Sequence, residues 1–414
     1  MERRRVVITG LGCITALGES VERLFGDLCA GKSAVSTIES FDTSAYPVHF
    51  AGEIKQFDVT KYVDKRDGKR MDRFAQLAIA AAVQAVQDSG LDISKEDPYR
   101  IGVIVGTGIG GIKEIEEEHL KILDKGPSKV SPFCVPRLMA NAASGNIAIQ
   151  YGLRGPNFCV SSACASGNHS IGEAFCNIAS GRSDVQITGG SEAAVTPIGL
   201  ASFCAARSLS TRNDNPPAAS RPFDRDRDGF VLAEGAGILV LEEYEHARKR
   251  DARIYAELLG YGATDDGYHI TAPLPDGSGA AKAMQIALAD AGITPDKVDY
   301  VNAHGTGTEL NDVAETTAIK TVFGPHAYRL SISSTKSCLG HMLGATAAVE
   351  LIVCVMAINQ GIIPPTINLE NPDPACDPKL DFVPLKAKPR RVNIAINNSL
   401  GFGGHNSCVV VGRV

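Results

Sequence analysis

Cys164 sits in the run Ser161-Ser162-Ala163-Cys164-Ala165-Ser166-Gly167, where a strand-like stretch (Asn157 to Val160) gives way to a helix-like one. A thiol at a helix N-terminus feels the positive end of the helix dipole, which lowers its pKa from about 8.5 toward neutrality and favours the nucleophilic thiolate. Two histidines occupy matching places. His304 opens His304-Gly305-Thr306-Gly307-Thr308 after the run Val298 to Ala303, and His341 closes Lys336-Ser337-Cys338-Leu339-Gly340-His341 after Leu330 to Ser334. Three reactive groups thus stand at the carboxyl ends of three expected strands, the edge at which α/β sheets build their sites. This set allows covalent catalysis by a thiol with imidazole partners. Most of the 11 cysteines must be small buried hydrophobes, so placement, not residue type, singles out Cys164.

Strand-like runs alternate with helical patterns along the chain, as parallel sheets covered by helices require. Ile101 to Val105, Val185 to Thr188 and Ile238 to Leu241 read as strands. Apolar stripes at Ile171, Ala174, Phe175 and Ile178, and at Ala345, Ala348, Val349 and Ile352, read as core-facing helices after Cys164 and His341. Val160-Ser161-Ser162 leads into the first and Ile332-Ser333-Ser334 into the second, an internal echo that suggests two similar halves. The expected seam lies near residue 252, after a charged helix from Glu242 to Asp251, giving halves 1–252 and 253–414. No linker-like composition separates them, so one rigid body is expected.

With 414 residues, 44% hydrophobic and 21% charged, the chain is long enough for two cores. A net charge of −6 argues against general nucleic-acid binding. An odd cysteine count without a C-x-x-C pair reads as reduced thiols and the cytoplasm. Met1-Glu2-Arg3-Arg4-Arg5 and the apolar run after it imitate a signal peptide, but Gly10, Gly12 and Gly18 break the run, and Val6-Val7-Ile8 suits a buried first strand. No uninterrupted apolar stretch is expected to cross a bilayer.

Several motifs read as structural. Gly106 to Gly111 matches G-x-G-x-x-G after a strand, yet no acidic ribose ligand follows in a clean βαβ unit. Asp224 to Gly229 opens like a calcium loop, but position twelve is Gly235, with Glu234 one place early, so a surface turn is expected. No H-x-x-x-H spacing supports a transition metal, and His169 and His269 read as core groups or supports of the site. Lys65, Arg66, Lys69, Arg70 and Arg73 fall on one helical face with Asp64, Asp67 and Asp72 interleaved. That face is either simply solvated or a dock for an acidic protein.

The trio Cys164, His304 and His341, with Lys336 and Asn398-Ser399-Leu400-Gly401-Phe402-Gly403-Gly404, closely resembles the condensing β-ketoacyl-acyl-carrier-protein synthases. The resemblance runs from Val6 to the last strand, through Ser210 to Asn215 and Pro364 to Leu369, and the second histidine places it with synthases I and II, most of all II. It implies a thiolase-like fold, two similar α/β halves in a layered α-β-α-β-α arrangement with the site between them. It also implies elongation of an acyl chain by two carbons through decarboxylative condensation, without a cofactor, by a homodimer served by acyl carrier protein.

Residue by residue, the resemblance makes Cys164 the acyl acceptor, His304 and His341 donors to a thioester enolate, and the backbone amides of Cys164 and Phe402 the oxyanion hole. Lys336 would position and polarise the histidines, or else form a structural ion pair with Glu350 or Asp312. Thr306 and Thr308 would meet the pantetheine arm, with Thr271 near the site. Phe402 would gate it, although Leu400 and His405 replace the family's Phe and Thr. Ile109 and Phe203 would line the acyl pocket, closed by Phe133 and Cys134 of a second subunit. Lys65, Arg66, Lys69, Arg70 and Arg207, with Arg212 as an extension, would dock the carrier. A polyketide ketosynthase would keep the same residues, and a silent chain-length partner would lack the nucleophile.

Overall fold

The computed structural model describes residues 3–414, so Met1 and Glu2 of the basic N-terminal stretch lie outside the described residues. Strand β1 (Val6–Thr15) is buried along its whole length. Gly10 and Gly12 are there because helix α1 (Arg73–Ser89) lies directly on the strand: a Cβ at Gly10 would stand 2.1 Å from the Ala85 carbonyl, and one at Gly12 2.0 Å from that of Ala81. The helix meets them with an alanine-rich face.

Beyond β1 come β2 (Ile101–Gly106), β3 (Asn157–Phe158), β4 (Val185–Ala193), β5 (Glu234–Glu243), β6 (Ala256–Asp265), β7 (Tyr300–Asn302), β8 (Ser331–Ser333), β9 (Ile394–Gly401) and β10 (His405–Gly412). They form one sheet in the order β8-β7-β9-β10-β6-β1-β5-β4-β2-β3. Read outward from the β1/β6 contact, the two sides match. Each begins with two antiparallel pairings (β1/β5 and β5/β4; β6/β10 and β10/β9) and ends with two parallel ones (β4/β2 and β2/β3; β9/β7 and β7/β8). Helix α3 (Ser278–Ala291) repeats the packing of α1, with Gly260 and Gly262 of β6 under the Ala287 and Ala283 carbonyls.

Helices α2 (Ser166–Ala179) and α5 (Thr346–Gln360) lie between the halves and touch strands of both, while α1 covers one outer face and α3 with α4 (Glu309–Phe323) the other. This is the layered thiolase-like arrangement. Every residue of α5 from Thr346 to Ile358 is buried, and each large aliphatic side chain so buried contributes about 1.5–3 kcal/mol. Leu343–Gln360 is in fact long and apolar enough to cross a membrane, contrary to the sequence expectation, but 89% of it is buried inside the fold. Its hydrophobicity is explained by its place as the central helix.

Three other expectations are corrected. The charged helix from Glu242 to Asp251 is the end of β5 followed by a short helix, Tyr244–Lys249; Glu242 is fully buried, accepting hydrogen bonds from Arg250 and paired with His246. The turn from Asp224 to Gly229 does lie at the surface, with Arg225, Asp226 and Asp228 exposed, and it is anchored by the buried Asp224, whose carboxylate accepts from the backbone of Asp226, Glu370 and Asn371 and pairs with Arg221. Arg73 leaves the basic face: Asp64 and Asp72 each cap a separate helix, and Arg73 turns inward to Glu234 at 2.7 Å. His269 is exposed, its Nδ1 accepting from the amides of Thr271 and Ala272.

Candidate active site

Cys164 stands on the tight turn between β3 and α2, two residues before the helix begins at Ser166. The preceding Ala163 has φ of 49°, a left-handed conformation that costs a non-glycine residue roughly 1–2 kcal/mol, and it presents the thiol to a cavity of about 750 Å³. The β9–β10 turn closes over it. Gly401 packs so closely that a Cβ there would lie 3.2 Å from the Cys164 amide, and Ser399 donates to the Cys164 carbonyl at 2.9 Å.

His304 follows β7. Its amide and that of Gly305 both donate to the buried Glu315 carboxylate of α4 at 2.8 Å. His341 is held by its own main chain, its amide donating to Val231 at 2.7 Å and its carbonyl accepting from Ala233, while its Nδ1 meets the Thr346 hydroxyl at 3.0 Å. The two rings are nearly perpendicular, with centroids 5.3 Å apart. One ligand-type atom from each of Cys164, His304 and His341 lies within 4.8 Å of the others, and all three residues are buried.

Burial pushes the Cys164 thiol up to about 12, against the pull of Lys336 and of hydrogen bonds from the Phe402 and Cys164 amides. This corrects the expectation of a lowered pKa. The dipole argument is local, whereas the thiol is only 8% exposed and loses more from desolvation than the nearby helix end returns. Burial, reinforced by Lys336, also holds both imidazoles well below their usual range, so both are neutral at pH 7. The closeness of the trio would suit a soft metal ion. The positive charge of Lys336 near both rings opposes it.

Lys336 does not line the cavity. It is 1% exposed and bonds Glu350 at 2.8 and 3.0 Å, while Asp312 pairs with Arg227 instead. The ion pair and the electrostatic effect on the histidines therefore coexist. Burial pushes the Glu350 carboxyl up and Lys336 pulls it back.

Ile109, Phe203, Arg207 and Thr271 line the same cavity, as do Thr306, Thr308, Leu400 and Phe402. Phe133 and Cys134 do not. Phe133 lies in a second concavity of about 530 Å³ with Lys65, Arg66, Lys69, Arg70 and Arg137, where the Arg70 guanidinium sits 5.2 Å from the Phe133 ring centroid. Arg207 is thus apart from that basic cluster, and Arg212 donates to the Asp226 carbonyl. The turn of the G-x-G-x-x-G motif is built around the carboxylate of Glu192. Glu192, Glu315 and Thr346 were not singled out from the sequence, which carries no local signal that these polar groups turn inward.

Residues 3–247 match the family description "Beta-ketoacyl synthase, N-terminal domain" and residues 255–370 match "Beta-ketoacyl synthase, C-terminal domain". A 3-oxoacyl-[acyl-carrier-protein] synthase 2 from Synechocystis sp. is 51% identical over 98% of this chain and 97% of its own length. The protein of the same name from Coxiella burnetii is 50% identical over 100% of both chains. Among solved structures, a type II polyketide ketosynthase in complex with its acyl-carrier protein superposes with a TM-score of 0.93 at 36% identity, over 100% of both chains. With both halves matched and full-length relatives at about half identity, the chain belongs to the beta-ketoacyl synthase family.

Proposed function

We propose that this chain is a 3-oxoacyl-[acyl-carrier-protein] synthase of the second type, which lengthens a fatty acyl chain by two carbons. The observation that carries the reading is the buried trio of one thiol and two neutral imidazoles at the foot of a single cavity. Cys164 Sγ attacks the acyl-carrier thioester; a new S–C bond forms, the carrier's S–C bond breaks, and the departing carrier sulfur takes up the proton that Cys164 gives up. The amides of Cys164 and Phe402, both directed at the sulfur, are placed to stabilise the oxyanion of this step.

Malonyl-carrier protein then enters. Its C–C bond to the carboxylate breaks, carbon dioxide leaves, and the electron pair becomes a thioester enolate whose oxygen accepts hydrogen bonds from His304 and His341. The enolate carbon attacks the acyl thioester, a C–C bond forms, the Cys164 S–C bond breaks, and the thiolate released takes up a proton from solvent. Lys336 acts from behind, keeping the rings neutral. Purified protein given acyl- and malonyl-carrier protein should release carbon dioxide and yield a 3-oxoacyl product two carbons longer by mass spectrometry. Absence of both products would sink the reading. The polyketide alternative is disfavoured because the synthase 2 relatives are about 50% identical, against 36% for the polyketide ketosynthase.

The basic cluster is the dock for the acidic carrier. Lys65, Arg66, Lys69 and Arg70 surround an open concavity with Phe133 at its wall. Reversing the charge at Arg66 and Arg70 should raise KM for the acyl-carrier substrate, spare small thioesters and remove the salt dependence of the wild-type interaction. An unchanged KM would leave the cluster as a solvated face.

A homodimer is supported by the edge strand β3, which ends the sheet among the described residues, by Phe158 exposed on that strand and by Ile149 exposed on the helix beside it, Ala142–Tyr151. In that assembly Phe133 and Cys134 would close the partner's acyl tunnel, and Ile109 and Phe203 line its near end. Each buried methylene of a primer adds about 0.8 kcal/mol until the end wall is met. Ile109→Phe should therefore shift preference to short primers without harming malonyl decarboxylation. Equal use of long primers would place the tunnel elsewhere, and a monomer by analytical ultracentrifugation would remove the shared wall. Eleven unpaired cysteines support a reducing, cytoplasmic setting.

A further inference from the structure

Glu192, next to last in β4, is fully buried, so water does not satisfy its carboxylate. Four donors satisfy it instead. Oε1 accepts from the Thr107 hydroxyl at 2.7 Å and the Ile109 amide at 3.2 Å; Oε2 accepts from the Gly108 amide at 2.7 Å and the Gly344 amide at 3.1 Å. The two turns it joins belong to different halves of the site. Thr107 to Gly110 carries the cavity wall at Ile109, and Gly344 lies three residues beyond His341 on the way into α5. Neither Gly108 nor Gly344 has room for a side chain, since a Cβ on either would lie 2.9 Å from Oε2.

We propose that Glu192 is a positioning residue that sets primer selection, by locking the wall at Ile109 to the loop that carries His341. The inference rests on the acyl-transfer reading above. Glu192 touches neither substrate nor the reacting atoms; it holds three backbone amides and one hydroxyl, and its charge also pushes the Cys164 thiol up, an effect common to all primers that the ratio of long to short primers cancels. Glutamine there offers one acceptor oxygen and one N–H₂ group. With the oxygen kept toward Gly108 and Gly344, the N–H₂ group meets the Thr107 hydroxyl, which can rotate to accept, and the Ile109 amide, which cannot. The opposite orientation strands two amides and is worse. Glu192→Gln therefore releases Ile109 selectively while the His341 side of the bridge persists.

The test combines hydrogen exchange with the two half-reactions in Glu192→Gln. Exchange at Ile109 should speed up about tenfold while Gly344 stays protected, and kcat/KM for long acyl-carrier primers should fall about tenfold relative to short ones. Malonyl decarboxylation should stay within about threefold of wild type. Unchanged protection at Ile109, an unchanged primer profile, or an equal loss on both half-reactions matched by a lower Tm would overturn the proposal. If the glutamine variant does not fold, hydrogen exchange in the wild type decides: the amides of Gly108, Ile109 and Gly344, all bonded to Glu192, should be protected to a similar degree, and fast exchange at Ile109 beside slow exchange at Gly344 overturns the proposal. Failure of the functional reading shows separately, as wild-type protein that does not take an acyl group on Cys164. The exchange measurement still decides whether Glu192 holds the two turns.

Discussion

Cys164→Ala is expected to abolish acyl-enzyme formation, with no acyl mass added to any of the other ten cysteines on exposure to acyl-carrier substrate. Only Cys164 combines a place on the cavity with two imidazoles within 4.8 Å of its sulfur; Cys338, Cys354 and Cys408 are buried in the core away from it. Persistent acylation of the variant would end the assignment. The wild-type thiol should also show its burial. Because its pKa is raised to about 12, the thiolate is the minor form at neutral pH, and its fraction grows about tenfold per pH unit. Alkylation of Cys164 by iodoacetamide, followed on its own peptide, should still be accelerating between pH 7 and 9. A rate already flat by pH 8 would mean a resting thiolate. A neutral resting thiol accords with the proposed first step, in which the proton moves as the carrier sulfur departs.

The trio was legible in the sequence because each member carries a local signature: small residues around Cys164, a glycine-rich turn after His304, and a strand end before Lys336 and His341. The duplication was half visible. The echo of Val160-Ser161-Ser162 in Ile332-Ser333-Ser334 was read, whereas Gly10-Leu11-Gly12 in β1 and Gly260-Tyr261-Gly262 in β6, each beneath an alanine-rich helix, record it more plainly. What escaped is tertiary. Glu192, Glu242 and Glu315 look like solvated charges in a string of letters, yet all three are buried and held by amides or arginine. The helical period through Lys65, Arg66, Lys69, Arg70 and Arg73 fails because two aspartate caps divide the stretch, a signal that was present at Asp64 and Asp72 but was read as interleaved charge. The Cys164 pKa failed for the same reason: a helix end can be read locally, and the water it excludes cannot.

Removing either imidazole should slow carbon dioxide release from malonyl-carrier protein by about a hundredfold to a thousandfold, the usual cost of losing one donor to a developing oxyanion. The argument requires each ring to present an N–H while uncharged. At His341 the role needs the tautomer in which Nδ1 accepts from the Thr346 hydroxyl, 3.0 Å away, and the proton sits on Nε2, which is buried without a partner of its own. Such a donor is ready before the enolate forms and needs no rearrangement. Because burial and Lys336 hold both rings well below their usual range, acidification from pH 8 to 6 leaves them neutral, so the decarboxylation rate should show no histidine titration in that window. The measurement is carbon dioxide release by wild type, His304→Ala and His341→Ala across that range. Near-normal release by one variant removes that histidine from the role, and an inflection near pH 6.5 in the wild type would show that the rings are solvated. Loss in both variants with a flat wild-type profile is the signature of two neutral donors converging on one oxygen.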